Sequence, residues 1–117
     1  MTTMTVKELS VLAESKANQA SLDYFNSKLG GKDNYPCGFA WVTVRPENKG
    51  NTKLGKEERR VLESMGFSKD WTGKAWQIWN PGKVNVQNVD VKEAGAQAYA
   101  DVMSSAGFNA SCGSRLD

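Results

Sequence analysis

Apolar and polar positions in the first part of the chain recur with the period of a helix. Between Thr5 and Leu29, Leu9, Leu12, Ala13, Ala20 and Tyr24 fall along one stripe, while Lys7, Glu8, Glu14, Lys16, Asn18 and Gln19 occupy the other side. Thr5 followed three residues later by Glu8 reads as a capping box. Gly30-Gly31 ends the helix, because glycine enters the left-handed conformation at little cost. A polar linker, Lys32 to Pro36, follows.

The period then changes to two. Cys37 to Arg45 predicts a strand with Cys37, Phe39, Trp41, Thr43 and Arg45 on one face and Gly38, Ala40, Val42 and Val44 on the other. The small, β-branched face suits packing against helices; the other carries two aromatics, a hydroxyl and a guanidinium. A second helix is expected from Leu54 to Met65, closed by Gly66, and a strand from Lys74 to Asn80 follows the turn Trp71-Thr72-Gly73. Valines at 84, 86, 89 and 91 suggest a further strand, with a bulge near Gln87-Asn88 where the alternation breaks. Glu93 to Ala106 reads as a third helix capped by Gly107, and Asn109 to Leu116 as a last, edge-like strand.

One internal match organises these elements. Val61 to Phe67 (VLESMGF) aligns with Val102 to Phe108 (VMSSAGF), and each copy ends a helix and enters a strand. The order strand-helix-strand, strand-helix-strand predicts an α+β fold, a ferredoxin-like βαββαβ sandwich with two helices on one face of a four-stranded antiparallel sheet. The extra N-terminal helix, residues 1–31, then adds to a sandwich domain of residues 32–117. Its stripe is expected to cover part of the other sheet face or to pack at an edge.

Composition bounds the picture. A chain of 117 residues fits one domain, able to bury roughly 65% of its unfolded surface without a metal or disulfide staple. With 39% hydrophobic and 24% charged residues the composition is ordinary for a globular protein. No apolar run approaches the ~20 residues of a membrane span, and no basic-then-apolar signal pattern opens the chain, which reads as intracellular. Net charge is only +2, yet Arg45 to Lys83 holds nine Lys or Arg against five Asp or Glu. Cys37 and Cys112 read as small buried hydrophobes, able to bridge only if their strands are neighbours.

Candidate chemistry is mostly negative. The chain has no histidine, so Ser-His, Cys-His and HExxH arrangements cannot be built, and two cysteines alone make no metal site. No phosphate-binding glycine loop is present, although Lys49 to Lys56 is a glycine- and lysine-rich loop before a helix. We therefore expect a non-catalytic protein without cofactor or metal. The positive feature is aromatic and basic: all four tryptophans lie between Trp41 and Trp79. Indoles on a sheet face stack on bases while Arg and Lys meet phosphates. The expected ligand-binding residues are Phe39, Trp41, Arg45, Lys49, Lys53, Gln77, Trp79 and Arg115. The competing readings are that the tryptophans build the core, that the first helix buries this face, and that Arg115 pairs with the carboxylates of Asp117. With Gln77, Asn80, Gln87 and Arg115 the same residues would also suit a nucleotide pocket.

The segments Cys37 to Val42 (CGFAWV), Trp76 to Asn80 (WQIWN), the helix Glu93 to Gly107 and the closing Gly113 to Asp117 (GSRLD) resemble small accessory proteins of tailed bacteriophages, over about Pro36 to Asp117. The resemblance implies a viral protein acting in the host bacterial cytoplasm and carries no active site with it. Arg60 to Trp79 is also similar, with shortened spacing, to a Gly-x-x-Trp…Lys-x-Trp module of DNA-processing enzymes. Two expectations follow: a binder of nucleic acid or a nucleotide, or a phage factor that binds a host protein, such as a defence component, through the same tryptophans. Homodimerisation through an open face or edge is compatible with both. An uncovered Phe39/Trp41 face favours nucleic acid, a partly covered one a pocket, and a buried one the core.

Overall fold

A computed structural model describes residues 5–33 and 36–116. Asn34 and Tyr35 of the expected linker, and Asp117, the expected partner of Arg115, lie outside the described residues. Helix α1 (Val6–Lys28) precedes strand β1 (Gly38–Val44), helix α2 (Lys53–Ser64), strands β2 (Ser68–Lys69) and β3 (Trp76–Trp79), helix α3 (Val89–Ser105) and strand β4 (Ala110–Leu116). The fold is α+β. Its four strands form one antiparallel sheet in the order β2-β3-β1-β4.

Two helix ends account for the internal repeat. Gly66 and Gly107 both adopt φ +97°. In each copy the glycine N–H donates to the carbonyl three residues back (Glu63 and Ser104), and the following phenylalanine N–H donates to the carbonyl five residues back (Leu62 and Met103). This pairing satisfies carbonyls that the helix end leaves open, and only glycine reaches its backbone conformation cheaply. The chain emerges from each cap into an edge strand, β2 in one copy and β4 in the other.

Sequence alternation decides what each sheet face does. Ala40, Val42 and Val44 of β1 and Trp76 of β3 point toward α2 and α3, where they join Leu62, Met65, Phe67, Ala96, Tyr99, Ala100 and Met103 in one core. Helix α1 joins from the helical side. Leu9, Ala13, Ala17 and Ser21, each four residues apart, are its buried positions, and they face α3. The approach is close: a Cβ on Gly95 would lie 2.3 Å from Ser21 Oγ, and one on Gly82 would lie 2.6 Å from the same atom. Ser21 Oγ donates to the Val91 carbonyl, Asn18 Nδ2 to the Gly82 carbonyl, and Lys83 pairs with Glu14. So α1 does not cover the second sheet face. Its small residues fit a helix and a glycine turn better than a sheet of indoles. The true stripe also differs from the expected one, because Ala17 and Ser21 are buried whereas Leu12, Ala20 and Tyr24 are only partly so.

The largest departure lies between Val84 and Val91. No strand forms there; Cys37 and Asn88 make a single antiparallel bridge, and α3 begins at Val89. Asn88 is the N-cap, its side chain accepting from the Val91 N–H. The Gln87 and Asn88 N–H groups donate to the Asp33 carboxylate instead of to a neighbouring strand. Val89 and Val91 are buried by the first turn of a helix rather than by alternation. The fourth strand is the two-residue β2, which falls where no alternation could be read.

Candidate functional site

The uncovered sheet face is built from alternate residues of all four strands. Pairing sets Trp41 opposite Trp79 and Thr43 opposite Gln77 on one side of β1, and Phe39 opposite Arg115, Trp41 opposite Gly113 and Thr43 opposite Ser111 on the other. Three aromatic rings therefore adjoin. Trp41 and Trp79 have ring centroids 4.7 Å apart with planes 34° from parallel, and Phe39 meets Trp79 at 6.2 Å, edge to face. Phe39 and Trp79 are 37% and 48% exposed, and Trp41 is half-buried.

Gly113 makes the flat arrangement of Trp41 possible. A Cβ there would lie 2.8 Å from Trp41 Cε2 and Nε1, so the indole rests on the bare backbone of β4. Two cations flank the rings. The Arg115 guanidinium lies 5.6 Å from the Phe39 ring centre, and Lys92 Nζ lies 5.4 Å from it while donating to the Gly38 carbonyl at 2.9 Å. None of the four strands carries an Asp or Glu. Beside the rings lies a polar strip, where Gln77 Nε2 donates to Thr43 Oγ1 at 3.4 Å.

Of the residues expected from sequence, Phe39, Trp41, Gln77, Trp79 and Arg115 come together on this face. Arg45 is exposed at the far end of β1, roughly 20 Å from Phe39 by strand rise. Lys49 and Lys53 lie beyond it, in the loop before α2 and at its first residue, and among the described residues neither lies over one of the rings. Hydrogen bonds tie that loop to α2: Glu58 accepts from the Glu47 and Asn48 N–H groups, Arg59 donates to the Asn48 and Gly55 carbonyls, and Thr52 caps α2. Lys92 and Gly113 were missed. Lys92 belongs to a helix whose start was misplaced, and a glycine within a strand signals only close approach of something unnamed.

The remaining tryptophans divide. Trp76 is core, and Trp71 is 95% exposed on a turn held by Asp70, whose carboxylate accepts from Thr72 N–H and Oγ1. That hydrogen bond to Thr72 is the main cause that holds Asp70 below the usual carboxylate range. The cysteines are half-buried and free, not fully buried as expected. Register places Cys112 opposite Val42, five residues along β1 from Cys37, so neighbouring strands still cannot bring them within bridging distance. The Cys112 thiol meets Gln97 Oε1 at 3.0 Å, and burial pushes its pKa up. Among the described residues, no helix is long and apolar enough to cross a membrane.

The fold and site together define an α+β protein with helices on one side of an antiparallel sheet and an exposed aromatic surface on the other. No family model, curated protein or solved structure matches the chain.

Proposed function

We propose that this protein is a non-catalytic binder of single-stranded nucleic acid, which it holds on the outer face of its sheet. The observation that carries the reading is the cluster of Phe39, Trp41 and Trp79 on an uncovered face, flanked by Arg115 and Lys92 and free of strand carboxylates. Exposed rings of this size are costly to hydrate unless something stacks on them, and every base offers a π-face. An open, flat face suits a strand that passes across it better than a nucleotide that must be enclosed. The sandwich itself we read as ferredoxin-like: the βαββαβ order, the strand sequence β4-β1-β3-β2 and two helices sharing one core on one side support that topology. A phage accessory role in a bacterial cytoplasm is compatible with this reading and rests on the sequence resemblance alone.

The test is a fluorescence titration with labelled single-stranded DNA and RNA, comparing the native chain with Trp79→Ala. Stacking contributes about 1–3 kcal/mol per base, so the substitution is expected to weaken binding about ten-fold or more. Affinity should fall with salt, because each phosphate met releases counterions. Equal affinity of both proteins for both polymers, or no binding by either, would sink the proposal. Capture of a protein through Trp79 without any nucleic-acid binding would replace it with the protein-binding reading.

A further inference from the structure

A second cationic surface lies around the β2 edge from the aromatic face. A groove of about 540 Å³ runs between α2 and β2, lined by Lys56, Arg59, Arg60, Glu63, Lys69 and Trp76 among others. Lys56 and Arg60 stand four residues apart on α2, a like-charge spacing that disfavours a helix. Glu57 and Glu63 stand three residues to either side of Arg60, and Glu63 four beyond Arg59, but none of these spacings closes into an ion pair among the described residues, and Arg59 turns its guanidinium to the Asn48 and Gly55 carbonyls. Among the described residues the only ion pair is that between Lys83 and Glu14, so Lys56, Arg60 and Lys69 have no carboxylate partner there. Lys69 Nζ instead lies 5.8 Å from the centre of the buried Trp76 ring, which also lines the groove. Three cations without an ion-pair partner among the described residues thus line one concavity beside a single carboxylate, that of Glu63, an excess of positive charge that favours an anion.

The groove and the aromatic face share a boundary. Ser68 pairs with Gln77 and Lys69 with Trp76, so β2 is the strand that separates the polar end of the face from the groove. With neighbouring strands about 4.8 Å apart, the step from Trp79's strand to the edge is one strand wide. We propose that the groove takes the phosphates of the same single strand whose bases stack on Trp41 and Trp79, so that the bound strand crosses the sheet and turns over the β2 edge. This rests on the nucleic-acid reading of the face, and its consequence is a length dependence that the face alone would not give.

The experiment measures binding of oligonucleotides of about four and about twelve nucleotides across a salt series, within the range a small sheet domain occludes. The proteins are the native chain, the double variant Arg60→Gln/Lys69→Gln, and Trp79→Ala. The native chain is expected to bind the longer strand at least ten-fold more tightly. The double variant should lose most of that gain, leave the short strand's affinity unchanged, and lower the salt slope by about 1.4, two contacts at ~0.7 each. Its melting temperature should be nearly unchanged, since both side chains are exposed, so lost affinity cannot be put down to unfolding. Full retention of the length gain and slope by the double variant overturns the proposal while leaving the face intact. If Trp79→Ala binds both lengths like the native chain, the face reading fails separately. Inorganic phosphate is the remaining probe: a thermal shift with phosphate and no dependence on strand length would make the groove a free-anion site and overturn the proposal.

Discussion

Tyr99 shows what a single residue can reveal. Its side chain is fully buried beneath α1, packs its ring 5.9 Å from Phe67, and leaves its hydroxyl without a partner among the described residues. Burial raises its pKa above the ordinary phenol value near 10, and Glu14 adds a smaller push in the same direction. The sign follows directly. The unfolded chain loses this proton above about pH 10 while the folded one keeps it, so the stability it contributes is whole below that pH and falls as pH rises past it. Tyr99→Phe should therefore unfold in urea at the same or slightly higher concentration near neutral pH, since an unpaired buried hydroxyl is removed. Between about pH 8 and 11 the variant should lose less stability than the native chain. An identical decline in both proteins would mean that Tyr99 is not held protonated by the fold. Gly113 teaches a related lesson from the other face, where the absence of a side chain positions Trp41.

At the scale of elements, the two glycine-capped helix ends are the most regular feature of the fold. Gly66 and Gly107 have the same φ, the same pair of hydrogen bonds and a phenylalanine next in the chain. A Cβ on Gly107 would meet nothing within 4 Å, so replacing it tests backbone conformation alone. Gly107→Ala is expected to cost about 1–2 kcal/mol in chemical denaturation, the left-handed penalty for a residue with Cβ. Gly66→Ala should cost nearly the same, because its nearest atom is Ile78 Cδ1 at 3.8 Å. A loss below a few tenths of a kcal/mol in both would show that the caps do not define the helix ends. The helices, caps and long strands were readable because each is set by neighbours in sequence. The segment from Val84 to Val91 was not, since its alternating valines fit a strand as well as the entry to a helix. The Asp33 carboxylate, more than fifty residues away, takes the N–H groups that a strand would have used.

The whole molecule is asymmetric about its sheet. Among the described residues three helices lie on one side, with α1 docked on α3 and on the Gly82 turn through alanines, a serine and two glycines, and none lies over the aromatic side. If a nucleic-acid strand binds that side only in the folded state, it must stabilise the fold by mass action. At a free concentration one hundred times Kd the gain is about 2.7 kcal/mol, which for a domain of this size raises Tm by about 10 °C. Differential scanning fluorimetry with the longer oligonucleotide checks this. No shift at saturation, as judged by the titration, would mean that the strand binds the unfolded chain equally well and that the folded face does not select it.

The sequence alone determined the α+β class, the two faces of β1 with Phe39 and Trp41 together on one of them, and the glycine capping of both crossover helices. These follow from local period and backbone chemistry, which act over a few residues. It could not determine where α1 would go, because a stripe of small residues fits either a sheet or a helix until a partner surface exists. Nor could it place Arg45, Lys49 and Lys53 away from the rings, or bring Lys92 to Phe39 and Lys69 to the α2 groove. Those positions depend on strand register and on contacts between residues far apart in the chain. The tertiary structure decided that the described residues leave the aromatic face open, because α1, the helix outside the βαββαβ order, is held on the opposite side by a close fit against Gly82 and Gly95.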